Sequence, residues 1–483
     1  MNRSRTPRRH RKHAPLAAAA VAAALVAACS SPATDDTTGP AAEQTSEASA
    51  DSQPPPSTAA DTAVDADGRE DTGDGSPPTA ESSDTGDTDA PSGPATLAPI
   101  SVAVMYPDVS VAAEFGFAEP IGDLAAVFQA LADAANEAGG IGGHPIDLNM
   151  VQFDLIVDGD SVRACLTATQ DIAADIVIGV GGVFGDPVVC VAEQNETLLI
   201  TTDGSPDEFY ARADGRLFTL VPSKGDTQLA TLSAFADTLG AAPFAVFSEV
   251  NSGGDADTMQ DVLLPALSAA GLEPAVTVLV DSDAQVAASQ IPIEVEALRA
   301  AGVETIISTT GFFSTAAFAA ALEAGGVDVT WVGSDAGGFA SDLFASQMDP
   351  NQLDSARAVT VRDTGWEGAG LAEPQARETC RVRAGDALGT EIAIDSIDVA
   401  GAEEACNYID LLVSAGEFLD GEPTTESLAA ALRQVTQIEF AGFGPAGFGD
   451  SRQAATTEVR EITWSADCGC WSVVGEYAPL DVG

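Results

Sequence analysis

The chain has 483 residues, 45% of them hydrophobic, and a formal net charge of −54 at pH 7 from 74 acidic and 20 basic side chains. That imbalance leaves no basic patch for nucleic acid and no attraction to an anionic lipid surface. The length is too great for one ordinary core and suits two. Histidine is nearly absent: besides His10 and His13 there is only His144, which reads as an exposed turn residue before Pro145. A Ser-His-Asp or Cys-His nucleophile would have to use it. No Gly-x-Ser-x-Gly elbow, Walker loop or His-Glu-x-x-His motif occurs. No carboxylate pair stands out by its placement for glycoside hydrolysis. The sequence reads as a non-enzyme without cofactor or metal.

In chain order, residues 1–13 carry Arg3, Arg5, Arg8, Arg9, Arg11 and Lys12 and no acid, and 14–28 are almost wholly Ala, Val and Leu. The apolar run is too short to span a bilayer, and 1–28 together predict a secretory signal. Its end, Leu25-Val26-Ala27-Ala28-Cys29, resembles a bacterial lipobox, which implies cleavage before Cys29 and lipid on its sulfur. Loss of 1–28 removes six positive charges and leaves Lys224 as the remaining lysine. From there to residue 97 the chain is Ser, Thr, Pro, Ala, Gly and acid, with Arg69 its one base. Such a segment buries too little to offset its ordering entropy. It predicts a disordered acidic tether over 29–97, spanning roughly 45 Å root-mean-square.

From residue 98 apolar strands alternate with helical patterns. Ile100–Met105 predicts a strand. Leu124, Val127, Phe128, Leu131 and Ala135 form one apolar helical stripe that stops at Gly139-Gly140. A second strand runs Ile146–Phe153, so the three form a right-handed βαβ unit of a parallel sheet. Helices near 162–173 and 187–194 alternate with strands at 176–180 and 198–202. Later strands fall at 244–247, 276–280, 305–308 and 329–332, with helices between. Helical patterns within 372–389, 396–418 and 424–435 precede a polar β ending at 458–474.

The run Ala134-Ala135-Asn136-Glu137-Ala138-Gly139-Gly140-Ile141-Gly142-Gly143-His144-Pro145-Ile146-Asp147-Leu148 resembles the opening of the leucine/isoleucine/valine-type substrate-binding proteins of ABC transporters. The resemblance implies a type I, two-lobed "Venus flytrap", α/β, each lobe a parallel sheet flanked by helices. It implies extended crossovers leading into Lys224 and again at 358–362. On this reading 98–220 plus 360–440 form the first lobe, and 221–359 plus 441–483 the second. The implied function is an extracytoplasmic receptor that closes on a small polar solute, such as an amino acid or related amide, and delivers it to an ABC permease. The protein would touch the membrane through its lipid anchor alone. A ligand-sensing receptor of the same fold, and a secreted hydrolase, are the alternatives.

In open parallel sheets ligands sit beyond the carboxyl ends of the strands. Those ends nominate Tyr106, then Gly182 and Val183, where the family commonly has a Ser-rich turn for a carboxylate and this chain offers only backbone amides. Thr202, Asp203, Gly204 and Ser205 resemble the second carboxylate-gripping turn. From the other lobe come Glu249, Asn251, Phe312 and Asp335, the last where the family often has an acid for an ammonium group. Beyond Cys29 six cysteines remain, an even number that reads as disulfides in an exported protein. Cys165 and Cys190 lie on successive helices and suit one pair, Cys380 and Cys406 another, and Cys468 and Cys470 a small ring; the connectivity stays open.

Overall fold

The computed structural model describes residues 97–480 apart from 111–120, 156, 158, 251–253, 311–312, 336–338, 342–344, 346–347 and 450–451. The expected leader, Cys29, the expected tether up to residue 96, Asn251 and Phe312 therefore lie outside the described residues.

The first sheet is built from β1 (Ile100–Asp108), β2 (Ile146–Asp154), β3 (Ile176–Gly179), β4 (Leu198–Thr201) and β5 (Leu217–Thr219). All are parallel, in the order β2-β1-β3-β4-β5. The connecting helices are α1 (Leu124–Ala138), α2 (Asp160–Leu166, extended by the π turn Thr167–Asp171), α3 (Asp186–Val188, extended by Val189–Gln194) and α4 (Asp207–Arg212). The predicted stripe of α1 faces inward: Leu124, Val127, Phe128 and Leu131 are buried. Asp123 caps its first turn by accepting from the Ala126 amide at 3.0 Å.

The second sheet takes β6 (Phe244–Val250), β7 (Val276–Asp281), β8 (Thr305–Ser308), β9 (Thr330–Ser334) and β10 (Arg357–Thr360). Between them lie α5 (Lys224–Leu239), α6 (Asp255–Thr258, continued through Met259–Leu263 and Leu264–Ala269), α7 (Ala284–Ala301), α8 (Phe313–Gly325) and α9 (Pro350–Leu353). The chain then returns to the first sheet, where α10 (Gln375–Leu388), α11 (Asp398–Gly416) and α12 (Thr425–Gln434) join α1 in one apolar core. The polar ending supplies β11 (Glu458–Ser465), β12 (Cys470–Val473) and β13 (Ala478–Pro479). β11 pairs antiparallel with β10, so the second sheet is parallel only from β6 to β10.

One boundary differs from the sequence reading. The stretch after residue 440 stays with the first lobe: Phe443, Phe448 and Ala455 are buried in the core of the first sheet. Phe448 meets Phe218 of β5 edge-on with centroids 5.2 Å apart, and the Thr219 amide donates to the Gln453 carbonyl at 2.9 Å. The physical reason is that β5 is an edge strand, and these residues cover it. The chain passes to the second sheet only after Thr456.

Three extended passages therefore join the lobes side by side. Near the first, the Leu220 carbonyl accepts from the Thr456 amide (3.1 Å) and the Thr456 hydroxyl (2.8 Å), tying the first passage to the third. Beside the second, the Gly444 amide donates to the Val361 carbonyl at 2.8 Å and Arg362 bridges Phe443.

His144 is buried rather than exposed, at 7%. Its Nδ1 lies 2.7 Å from the Ala98 carbonyl, so the ring fastens the start of the folded body to the turn before β2. The six described cysteines stand at bonding distance as Cys165–Cys190, Cys380–Cys406 and Cys468–Cys470.

Candidate ligand site

The strand ends of the first lobe form two turns that face each other. After β3, Gly181 and Gly182 both take positive φ, 57° and 70°, conformations open to glycine at no steric cost. Successive backbone amides of such a turn can make an anion-binding concavity. The anion is already present. Asp203 accepts from the Val183 amide at 3.0 Å and also draws on the Gly182 amide. Burial pushes the Asp203 carboxyl up, against the Val183 bond and the charges of Lys224 and Arg362. The amides expected to hold a ligand carboxylate are thus occupied by a side chain of the neighbouring turn.

The hydroxyls of that second turn are likewise engaged or enclosed. Tyr408, buried on α11, donates to the Gly179 carbonyl at 2.7 Å and lies 3.3 Å from the Thr202 hydroxyl. Ser205 is 2% exposed, and its carbonyl accepts from the Lys224 amide at 3.0 Å. Gly204 serves close approach, because a Cβ there would lie 2.6 Å from the Pro222 carbonyl oxygen. Tyr106, half-buried at the end of β1, has its phenol pushed up by burial and then by Asp123 and Asp108.

In the second lobe Glu249 caps α8, accepting from the Ser314 amide at 2.9 Å and from its hydroxyl. The Thr310 hydroxyl lies 3.3 Å from Glu249 and 3.1 Å from Asp255, and Asp255 pairs with Lys224. Burial pushes the Glu249 carboxyl up, most strongly of its influences. Asp335 turns toward the second passage rather than outward. Its Oδ2 accepts from the Thr360 hydroxyl at 2.6 Å and the Val361 amide at 2.9 Å. Burial raises it, against those bonds and the Arg362 charge.

Two residues that the sequence reading did not nominate stand between these groups. Arg362 follows β10 in the second passage, with its guanidinium over the Phe443 ring at 4.5 Å. Its charge acts on Asp203, Asp335 and Glu404 alike, so it links strand ends of both lobes. Glu404 lies on α11 one turn ahead of Tyr408. Its carboxyl is pushed up to about 7, chiefly by burial, with Asp203 and Glu403 adding and Arg362 opposing. Chemically this is a cluster of acids around a guanidinium, in which Asp203, Glu249 and Asp335 already accept hydrogen bonds from the protein's own groups. Among the described residues no group of three or more His, Cys, Asp or Glu is arranged to hold a metal ion. No helix among them is long and apolar enough to cross a membrane.

Comparison with known proteins agrees with this architecture. The family model described as "Periplasmic binding protein" matches residues 99–468. Among solved structures, the branched-chain amino acid transporter substrate binding protein LivJ from Streptococcus pneumoniae, in complex with isoleucine, superposes with a TM-score of 0.55 at 14% identity, covering 78% of this chain and 99% of that one. A fatty acid ABC transporter substrate-binding protein from Thermomonospora curvata gives 0.57 at 15% identity, over 81% and 95%. A solute binding protein of an ABC transporter from Rhodopseudomonas palustris BisB5, in complex with 3,4-dihydroxy benzoic acid, gives 0.56 at 10%, over 79% and 98%. No curated protein matches.

Proposed function

The chain belongs to the periplasmic binding protein family, and from that premise we propose that it is the extracytoplasmic receptor of an ABC importer, closing two lobes on a small polar solute. The observation that carries this reading is the convergence of strand ends from both parallel sheets on one charged site beside the passages between lobes. Ligands of open α/β sheets sit at such strand ends, and binding across two bodies joined by extended strands couples capture to closure.

The remaining parts fit that role. The leader would export the chain, lipid on Cys29 would anchor it outside the cell membrane, and the acidic tether would give the lobes reach to an ABC permease. The three cysteine pairs would be oxidised in that compartment. The protein would bind without turnover.

The test is a thermal-shift screen of the purified folded body with amino acids, amides, short peptides and urea. A ligand at a hundredfold its dissociation constant adds about 2.7 kcal/mol, a shift of about 3 °C for a single unit of this size. Hydrolysis of a panel compound by the protein would overturn the receptor reading.

A further inference from the structure

The strand-end acids and amides are largely satisfied within the protein. Arg362 is held from several sides. Its amide donates to the Thr360 hydroxyl at 2.9 Å, its carbonyl accepts from the Tyr477 hydroxyl at 2.8 Å, and its guanidinium rests on Phe443. Yet among the described residues no ion pair within 4 Å is formed by that guanidinium, although its charge acts on five nearby acids, Asp203, Asp335, Asp363, Glu403 and Glu404. Glu404 offers the complement: its Oε2 is buried and has no hydrogen-bond partner among the described residues. Buried polar atoms are nearly always partnered in native proteins. A held guanidinium whose charge reaches a buried, spare acceptor makes a two-point receptor.

We propose that Arg362 receives the carboxylate of the transported solute and that Glu404 accepts from a donor on the same molecule. The ligand is then a small carboxylic acid with an amine, amide or hydroxyl near its carboxylate. This rests on the receptor reading above. It departs from a grip by loop amides, because Asp203 already fills the amides of Gly182 and Val183. A guanidinium matches a carboxylate through two parallel hydrogen bonds. A phosphate dianion would meet the surrounding acids, and a neutral sugar would leave Arg362 unpaired. A purely cationic solute would do the same.

The test measures binding by calorimetry for wild type, Arg362→Gln, Arg362→Lys and Glu404→Gln. The probes are amino acids, lactate and other 2-hydroxy acids, the matching amides and amines, and neutral sugars. Wild type should bind an acid and reject its amide. Arg362→Gln should lose about a hundredfold or more in affinity for the acid and level the acid–amide preference. If that variant does not fold, Arg362→Lys answers the question, since it keeps the charge, loses the planar fork and should bind at least tenfold more weakly. Glu404→Gln should weaken an amino acid strongly and a hydroxy acid little, because an amide oxygen still accepts from a hydroxyl. Equal binding of acid and amide by wild type would overturn the proposal, as would an unchanged preference in Arg362→Gln or binding of sugars or amines alone. The receptor reading would survive those results, and turnover of a probe is what would remove it.

Discussion

Replacing Glu404 with Gln keeps the side-chain shape and removes the proton equilibrium. Burial, reinforced by Asp203 and Glu403, lifts its carboxyl from the ordinary 4.5 to about 7. At about 1.4 kcal/mol for each tenfold change in proton affinity, that displacement is worth about 3 kcal/mol. The folded state holds this proton more tightly than the unfolded chain does. The stabilisation is therefore complete below pH 4.5 and is lost as pH rises through 7. Glutamine does not titrate, so the variant should match wild type near pH 4.5 and gain on it above. For a folded segment of this size, at roughly 0.8 kcal/mol per degree, the gap at pH 8.5 should approach 4 °C. Calorimetric melts of ligand-free protein at pH 4.5, 6.5 and 8.5 measure it. The difference between variant and wild type isolates Glu404 from Asp203, Asp335 and Glu249, whose carboxyls are raised in the same direction. A gap independent of pH would refute the argument.

Tyr408→Phe removes the hydroxyl that donates to the Gly179 carbonyl; it should cost about 1–2 kcal/mol in urea denaturation, and an unchanged midpoint would contradict the assigned bond. Asp335→Asn can still present one oxygen to the Thr360 hydroxyl and the Val361 amide. It should melt close to wild type and leave ligand affinity within severalfold, whereas a hundredfold loss in titration would restore Asp335 to direct contact. Cys29→Ser should move the protein from the membrane fraction to the soluble one, and retention with unchanged detergent partitioning would remove the lipid anchor. A chain beginning at Thr96 should melt and bind as the full mature chain does, and a large drop in melting temperature would show that the tether packs on the lobes.

The fold was legible in the sequence because parallel strands buried on both faces are short apolar runs, and these runs sit where the strands are. The stripe of α1 and the glycines after it were equally plain. Strand ends also nominated Asp203, Glu249 and Asp335 as ligand contacts, and in the structure each accepts hydrogen bonds from the protein's own groups. What the pattern could not give was who bonds whom. Asp203 facing the Gly182 and Val183 amides depends on two loops twenty residues apart in the chain. Arg362 fell at the end of the predicted return passage, yet nothing local marked its guanidinium as one without an ion pair among the described residues. Glu404 did leave a trace: on α11 it shares the stripe of Tyr408, Leu411 and Ala415, all buried. An acid on an apolar stripe is a signal that can be read. The misplaced boundary after residue 440 has a similar cause, because covering an edge strand is a tertiary requirement that periodicity does not express.

The three passages lie side by side, with Leu220 bonded to Thr456 and Thr360 paired with Arg460, whose guanidinium donates to the Thr364 carbonyl at 3.0 Å. Three strips fastened in parallel act as a leaf spring: compliant to folding across their width, stiff to shear and to twist. Opening then reduces to a single angle. One pair of spectroscopic labels, one on each lobe, would report the whole conformational coordinate, and a second pair placed elsewhere would carry the same information.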